Sequence, residues 1–292
     1  MVTLPRDSPP ARTAQHAVLR VEYDGGSFAG WSRQPGALAT VEQELATAFE
    51  RLGCLDVHLR CAGRTDAGVH ASAQVVDVRY IGSVPPDRLA VALVAPLPAT
   101  IAVVDAGEAP AGFDARGDAT SRAYEYRVLQ RATPSALRAG RVLHHPRPID
   151  RALLDQAAAA VLGQHHFRAF TRRRTEHRYF DRTVVASRWF TRGDELVYEI
   201  RANSFLRRMV RMLVGSMLAV ARGEITLEQF VALLDEPGDS DTARTTAPSH
   251  GLCLVDVTWE PIAGLPLPPG WRRAWTDADR ARPCTLPFSS VG

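Results

Sequence analysis

Three consecutive stretches decide the fold: Cys54-Leu-Asp-Val-His-Leu-Arg-Cys61, the loop Ala62-Gly-Arg-Thr-Asp-Ala-Gly-Val-His70, and Ala73-Gln-Val-Val-Asp-Val-Arg-Tyr80. The outer two favour strands, and the glycines between them indicate a loop. We therefore predict two strands joined by a loop that holds the carboxylate of Asp66.

The strands and helices predicted on either side of this strand pair follow the order of a known structural unit. A strand ends at Asp24-Gly-Gly26, a helix begins at the capping box of Thr40 and Gln43, and prolines open a shorter helix. The order strand, helix, strand, strand, helix, strand is that of a split βαβ, ferredoxin-like unit. The predicted strands are 17–23, 54–61, 73–80 and 100–105, and the helices follow Thr40 and Pro85.

The second part of the chain repeats this order. We therefore predict an α+β fold in which two ferredoxin-like halves face each other and leave a central cleft between their antiparallel sheets. The predicted strands are 119–129, 182–190, 196–202 and 252–259, and the helices are 150–162, 205–222 and 226–234. The predicted divisions are a flexible leader at 1–16, an N-terminal half at 17–110, a C-terminal half at 111–262, and a disordered proline-rich tail at 263–292.

Composition excludes several kinds of chemistry. All 35 basic residues of this 292-residue chain are arginine, so mechanisms that need a lysine amine are excluded. The four cysteines form no CxxC pair, and no metal site is expected. No secretory signal is recognisable, and the longest charge-free stretch, 89–104, contains two prolines. We expect a soluble, cytoplasmic protein.

Positive charge is concentrated in one part of the chain. Residues 163–222 hold 13 arginines and 5 acidic residues, a surplus of +8, whereas the whole chain has a formal charge of +3. Such a block is typical of a surface that binds a polyanion. It also fits a solvated surface in an arginine-rich composition.

The Asp66 loop is the densest group of candidate functional residues. Gly63 and Gly68 allow sharp turns and the close approach of a ligand, and Arg64 lies two residues from Asp66. The pattern fits a nucleophile or an acid–base group on a tight loop. It also fits a hairpin whose aspartate accepts backbone hydrogen bonds.

Arginines and tyrosines form two further candidates. Arg207, Arg208 and Arg211 lie near the start of a predicted helix, where the helix dipole disfavours cations, so an anion is expected nearby. That anion is either a phosphate or a buried carboxylate. Tyr124 and Tyr126 share one face of a strand and suit base stacking, although most strand tyrosines are structural.

Several separated motifs occur together in one order, and through them the chain resembles the TruA-type tRNA pseudouridine synthases from about residue 18 to residue 259. The motifs are Tyr23-Asp-Gly, Gly30-Trp31, Gly63-Arg-Thr-Asp-Ala-Gly-Val-His70, Phe113-x-Ala-Arg116, Tyr124 with Tyr126, Asn203-x-Phe205, Met209-Val-Arg211, Val214-Gly-Ser216, Thr246-Ala-Pro248 and Gly251-Leu252.

The resemblance implies the pseudouridine synthase fold, with the catalytic cleft between the two antiparallel sheets. It implies isomerisation of uridine to pseudouridine at positions 38 to 40 of the tRNA anticodon arm. It also implies a homodimer that uses no metal or organic cofactor. Asp66 matches the catalytic aspartate, Tyr124 the tyrosine that stacks on the target base, and Arg211 the arginine that pairs with the aspartate. The residues predicted to bind substrate are Arg64, Tyr124, Arg182, Arg207 and Arg208.

The implied chemistry suits these residue types. An ionised Asp66 could attack the sugar C1′, deprotonate the sugar to assist glycal formation, or add to uracil C6. Arg211 would favour the ionised carboxylate. Arg64 would fill the space left by the flipped uridine or hold its phosphate.

One segment departs from the family pattern, because 171–182 lacks the Ser-x-Thr that usually precedes Arg182. This departure permits the same isomerase with a shifted RNA target. The +8 block at 163–222 motivates a second alternative, a non-catalytic protein that binds or folds tRNA on the same scaffold.

Overall fold

A computed structural model describes residues 11–36, 38–172, 175, 177–235 and 245–259. The strands are β1 (Thr13–Tyr23), β2 (Leu55–Cys61), β3 (His70–Gly82), β4 (Ile101–Glu108), β5 (Ser121–Leu129), β6 (Leu143–His144), β7 (Gly163–His166), β8 (Asp181–Arg192), β9 (Glu195–Ala202) and β10 (Leu252–Thr258). The helices are α1 (Val41–Arg51), α2 (Leu89–Ala92), α3 (Arg151–Ala160), α4 (Met209–Ala221) and α5 (Leu227–Asp235).

These strands form one mixed sheet. Its order is β4-β1-β3-β10-β5-β9-β8-β7, with β2 paired to β3 and β6 paired to β5. The pairings are antiparallel except for β3 with β10 and β5 with β6, which are parallel. The predicted α+β class is confirmed.

The two halves of the chain meet between β3 and β10, where His70 pairs with Cys253 and Ala71 with Leu254. In this detail the structure differs from the prediction, because the two expected sheets are joined into one. β10 pairs with β5 on its other side. It thereby covers strand edges that two separate sheets would leave unpaired.

The pairing of β3 fixes where the Asp66 loop leaves the sheet. Residues 76–81 of β3 pair along β2, whereas the first two residues of β3 pair with β10. The loop 62–69, which joins β2 to β3, therefore lies at the junction of the two halves.

Helix starts follow the capping residues seen in the sequence. At α1, the hydroxyl of Thr40 accepts a hydrogen bond from the amide of Gln43 at 3.3 Å. Ahead of α5, the amide of Thr226 donates to the side chain of Gln229, whose amide donates to the Thr226 hydroxyl. At α1 only the Thr40 half of the predicted capping box forms, because the side chain of Gln43 donates to the hydroxyl of Thr47 instead. The pair ahead of α5 forms both bonds of a capping box and satisfies amides that a helix start leaves without a partner.

Helix α4 is the most buried helix in the described part of the chain. Every residue of α4 except Arg211 is buried, and the helix packs against α3 and α5. Its methionines lie in the core, as expected. Because it is enclosed by apolar contacts, α4 is a firm support for the one charged side chain that it carries.

The chain ends differ in part from the predicted divisions. β1 begins at Thr13 and pairs with β3 from that residue onward, so its first four residues lie within the predicted leader. Residues 1–10 and the predicted tail at 263–292 lie outside the described residues. The division into a leader, two halves and a tail stays a prediction.

Candidate active site

The loop 62–69 is fixed to the N-terminal half through its backbone. Gly30 and Asp66 form an isolated antiparallel bridge. The amide of Trp31 also donates to the carbonyl of Thr65 at 3.1 Å. These contacts hold the backbone beside Asp66 against the segment that leads into α1.

Two glycines are required for this loop path. Gly68 has φ +77°, and a β-carbon added there would lie 2.5 Å from the Ser249 hydroxyl. Gly30 has φ +108°, and its added β-carbon would lie 2.8 Å from the carbonyl oxygen of Thr65. Any other residue would combine a left-handed backbone with a steric overlap. The sharp turn expected at Gly68 is confirmed.

A buried glutamine supports the loop from below. Gln74, in β3, accepts a hydrogen bond from the amide of Gly63 at 3.2 Å and donates to its carbonyl at 2.5 Å. Its amide nitrogen also donates to the hydroxyl of Tyr23, which lies 2.8 Å from that of Thr65. Sequence reasoning missed Gln74, although a glutamine among the valines of a strand is a visible signal for a buried polar contact.

Asp66 receives arginines from the other half of the chain. The Arg211 Nη1 atom lies 3.5 Å from one carboxylate oxygen, and the Arg207 Nε atom lies 3.7 Å from the other. Arg211 is fixed by a 2.8 Å hydrogen bond from its Nε to the carbonyl of Ala247. Both contacts to Asp66 are longer than ordinary charge-assisted hydrogen bonds, so the arginines attract the carboxylate without saturating it.

The predicted anion near the arginine cluster is therefore a carboxylate. The predicted start of this helix was wrong, because α4 begins at Met209 rather than at Phe205. Arg207 and Arg208 therefore lie outside the helix. Arg208 precedes it with φ +66°, a left-handed conformation that is uncommon for arginine. This turn redirects the chain, so Arg207 reaches Asp66 from outside the helix.

Tyr124 lies on β5 under the same loop. It is buried, its ring packs edge-on against Phe205 at 5.1 Å, and a β-carbon added to Gly63 would lie 3.5 Å from its hydroxyl. Burial raises the pKa of Tyr124 well above its usual value, Arg122 opposes that shift, and the charge of Asp66 adds to it. The charge of Asp66 therefore helps to keep the Tyr124 hydroxyl protonated.

Two other predicted residues lie in different surroundings. Arg64 is exposed on the loop, two residues from Asp66. Arg182 is buried, and its guanidinium donates to the backbone carbonyls of Tyr179 and Asp181. Tyr126 is also buried, and its hydroxyl donates to the carbonyl of Pro248.

Sequence reasoning also missed Arg122, which lies two residues before Tyr124 on the same buried face of β5. Its guanidinium contacts the base of the Asp66 loop through the carbonyl of Ala62. The available signal was a charged residue at an inward-facing strand position.

The described part of the chain shows neither a metal site nor a helix that could span a membrane. Along the described ranges, no cluster of three His, Cys, Asp or Glu side chains is placed to hold a metal ion. The helices in the same ranges are too short or too polar to cross a bilayer.

Comparison with protein families identifies the class of protein that carries this loop and these arginines. The family described as tRNA pseudouridine synthase matches residues 20–116 and 157–260. These two segments include the Asp66 loop and the arginines that contact it. The chain belongs to the tRNA pseudouridine synthase family, and is accordingly an isomerase.

Individual relatives agree with that assignment. The tRNA pseudouridine synthase A of Frankia casuarinae is 41% identical over 248 residues, which cover 83% of this chain and 89% of that protein. The protein of the same name from Methylobacterium nodulans is 40% identical and covers 86% of this chain and 98% of its own length. That from Thermus thermophilus is 39% identical over 83% of this chain and 96% of its own.

Proposed function

We propose that this protein isomerises uridine to pseudouridine in the anticodon arm of tRNA, at positions 38 to 40, with Asp66 as the catalytic carboxylate. The observation that carries the proposal is the meeting of Asp66 with Arg211 and Arg207, which come from opposite halves of the chain. Two arginines stabilise a charged carboxylate, and their long contacts leave its oxygens available to a substrate.

The reaction moves the sugar C1′ from N1 to C5 of the same uracil, so no redox partner is required. In one route, an oxygen of Asp66 bonds to C1′ as the bond to N1 breaks. Uracil then turns, C5 displaces the carboxylate, and the proton on C5 leaves while N1 gains one. Glycal formation through deprotonation of the sugar and addition of Asp66 to uracil C6 are the two other routes that use the same carboxylate.

Tyr124 and Arg64 complete the proposed site. Tyr124 offers a ring to the flipped base, and its hydroxyl is close enough to the loop to take part in proton transfer. The raised pKa of Tyr124 keeps this hydroxyl protonated, so it can donate a hydrogen bond. Arg64 is exposed beside Asp66, where it can fill the stack that the uridine leaves.

The tRNA backbone is proposed to contact the basic part of the C-terminal half. Arg207 has 59% of its side chain exposed, and Arg208 is half-buried beside it. Arg182 is proposed to support tRNA binding without contacting the tRNA, because its guanidinium holds the backbone carbonyls of Tyr179 and Asp181. Phosphate contacts of this kind make affinity fall steeply with salt.

The divergent segment 171–182 touches this basic surface. The Thr171 hydroxyl donates to the carbonyl of Arg207 at 3.0 Å, and the Arg207 amide donates to His177 at 3.3 Å. A change in this segment can therefore move Arg207 without moving Asp66. These contacts support a shifted RNA target as the second candidate function.

Replacing Asp66 with asparagine tests the proposal. We expect Asp66→Asn to lower pseudouridine formation by roughly four orders of magnitude, since a residue that forms or breaks bonds is lost. Binding of tRNA should change less than about threefold. The measurement is tritium release from [5-³H]uridine-labelled tRNA, together with filter binding.

The matched control is Asp87→Asn, which removes a carboxylate that is 72% exposed and paired only with Arg88 in the described structure. It should release tritium at the wild-type rate. Wild-type activity in Asp66→Asn would contradict the catalytic assignment. No release by the wild-type protein would favour the non-catalytic tRNA-binding alternative.

Mapping pseudouridines in total tRNA from cells with and without the gene tests the target. Loss confined to positions 38 to 40 supports the proposed sites, and loss elsewhere supports the shifted target. The homodimer and the cytoplasmic location rest on the family. Light scattering of the purified protein and fractionation of cells test them.

A further inference from the structure

Arg122 is a buried cation beneath the Asp66 loop, and in the described structure it donates hydrogen bonds only to backbone atoms. Its side chain is nearly inaccessible, and its five hydrogen bonds in the described structure all go to carbonyl oxygens. Two go to Ala62 at 3.1 and 2.9 Å, and one each to Ala119 at 2.8 Å, Arg116 at 2.8 Å and Asn203 at 3.1 Å.

Burying a guanidinium is unfavourable unless its donors are satisfied. Burial lowers the pKa of Arg122 to about 10, so the side chain is still charged at neutral pH. The nitrogens Nε, Nη1 and Nη2 each have a carbonyl partner. Burial of the charge is unfavourable, and every guanidinium nitrogen nevertheless has a carbonyl partner. We infer that the segments joined by Arg122 must keep a fixed separation.

Those segments carry the two sides of the proposed site. Ala62 is four residues before Asp66, at the base of its loop. Asn203 is four residues before Arg207 and also caps local amides, because its side-chain oxygen accepts from Thr183 and Ser204. Arg122 therefore spans the loop that holds the carboxylate and the segment that leads to the arginines.

We propose that Arg122 is a positioning residue for catalysis, which fixes the distance between Asp66 and its arginine partners by holding the carbonyls of Ala62 and Asn203. This inference rests on the proposed function of Asp66. Arg122 cannot reach a tRNA phosphate, because it lies beneath the loop. Its loss should therefore affect turnover and leave affinity unchanged.

Only arginine can make this set of contacts. Its planar fork presents five N–H donors in fixed directions, whereas a lysine ammonium has three donors on one atom. The five hydrogen bonds of Arg122 reach four different carbonyls, so the three donors of one ammonium cannot satisfy them all. Lysine at position 122 therefore keeps the charge and loses at least one of these contacts.

The test compares Arg122→Lys and Arg122→Met with the wild type in single-turnover assays on labelled tRNA. We expect the turnover rate to fall about 100-fold in both variants, because misplacement of about 1 Å at a reacting centre has this effect. The KM and the Kd for tRNA should change less than about threefold. Hydrogen exchange of the amides of residues 62–69 should become about tenfold faster.

Arg127→Met is the matched control. Arg127 lies on the same strand but pairs with Glu195 on the other face, so its loss should lower the melting temperature without slowing turnover. A turnover loss in Arg122→Lys that is no larger than in Arg127→Met would overturn the proposal. So would a weakened Kd with unchanged turnover.

Hydrogen exchange separates this proposal from the proposed function. If the wild-type protein releases no tritium, the proposed function fails, while faster exchange in the loop still reports whether Arg122 holds it. Unchanged exchange at 62–69 in Arg122→Lys would overturn the positioning role whatever the activity. Arg122→Lys also serves if Arg122→Met does not fold, since it keeps the charge and most of the side-chain volume.

Discussion

Two clusters of arginine and carboxylate in this protein have opposite geometry. Glu195 is buried and accepts hydrogen bonds from Arg127 at 2.7 and 3.1 Å and from Arg138 at 2.8 Å. Asp66 is 21% exposed, and its arginine contacts are 3.5 and 3.7 Å long. The same residue types therefore form one saturated cluster and one open cluster.

The difference shows that a pairing of arginine with a carboxylate can either stabilise the fold or prepare a reactive group. A carboxylate with short bonds to several donors is held in the fold and has little capacity left for another partner. A carboxylate between arginines at a longer distance stays charged and keeps its oxygens available. Because the chain has no lysine, this distinction depends on distance and exposure rather than on the choice of cation.

The largest expected effect is on the open cluster. We expect Arg211→Met to lower the turnover rate about 100- to 1,000-fold, because it removes the charge that attracts Asp66 while filling the space of the arginine stem. The Kd for tRNA should stay within about threefold, since only 15% of the Arg211 side chain is exposed. Single-turnover tritium release measures the rate, and turnover above one third of the wild-type value would contradict the role given to Arg211.

The saturated cluster should respond in stability instead. We expect Glu195→Gln to lower the free energy of unfolding by about 2 kcal/mol, because a buried acceptor loses its charge and one of its oxygens. Turnover per folded molecule should not change. Urea unfolding measures this loss. Glu199→Gln is the control, because its partner Arg188 is 69% exposed, and it should cost about 0–1 kcal/mol. Equal losses in the two variants would remove the distinction between buried and exposed pairs.

The smallest effect concerns the acid stability contributed by Asp194, which shares Arg138 with Glu195 of the saturated cluster. Hydrogen bonds from Arg138 lower the pKa of Asp194 from 3.8 to about 2. A carboxyl group whose pKa is lower in the folded state stabilises the fold above its ordinary pKa, and that contribution is lost as pH falls from about 4 to about 2. The difference in urea midpoint between wild type and Asp194→Asn should therefore shrink over this range. A constant difference between pH 6 and pH 3 would contradict this origin.

Much of the local structure could be predicted from sequence. The N-terminal caps of α1 and α5 and the long strands have local signals. The structure contains them, with strand ends that differ from the prediction by a few residues. The two- and four-residue strands β6 and β7 were missed because they are too short to show periodicity. The start of α4 was misplaced because it depends on a left-handed arginine, which propensity does not predict.

The sequence predicted the site residues that belong to a family motif. It did not predict the buried residues that hold those motifs in place. Asp66 and Tyr124 lie in segments that the family resemblance identifies. Gln74 and Arg122 hold the loop from inside the sheet, and their contacts to the loop itself are with backbone atoms. Every residue has a backbone carbonyl, so the residue type at the acceptor position gives no sign of such a contact.

By itself, the sequence determined the elements, their caps, the absence of lysine chemistry and the family to which the chain belongs. Only the tertiary structure decided that the halves share one sheet and that Arg207 joins Arg211 beside Asp66. Local propensity and side-chain spacing act over a few residues, so they fix segments one at a time. Which strand edges pair, and which charges then meet across the junction, depends on burying all segments together.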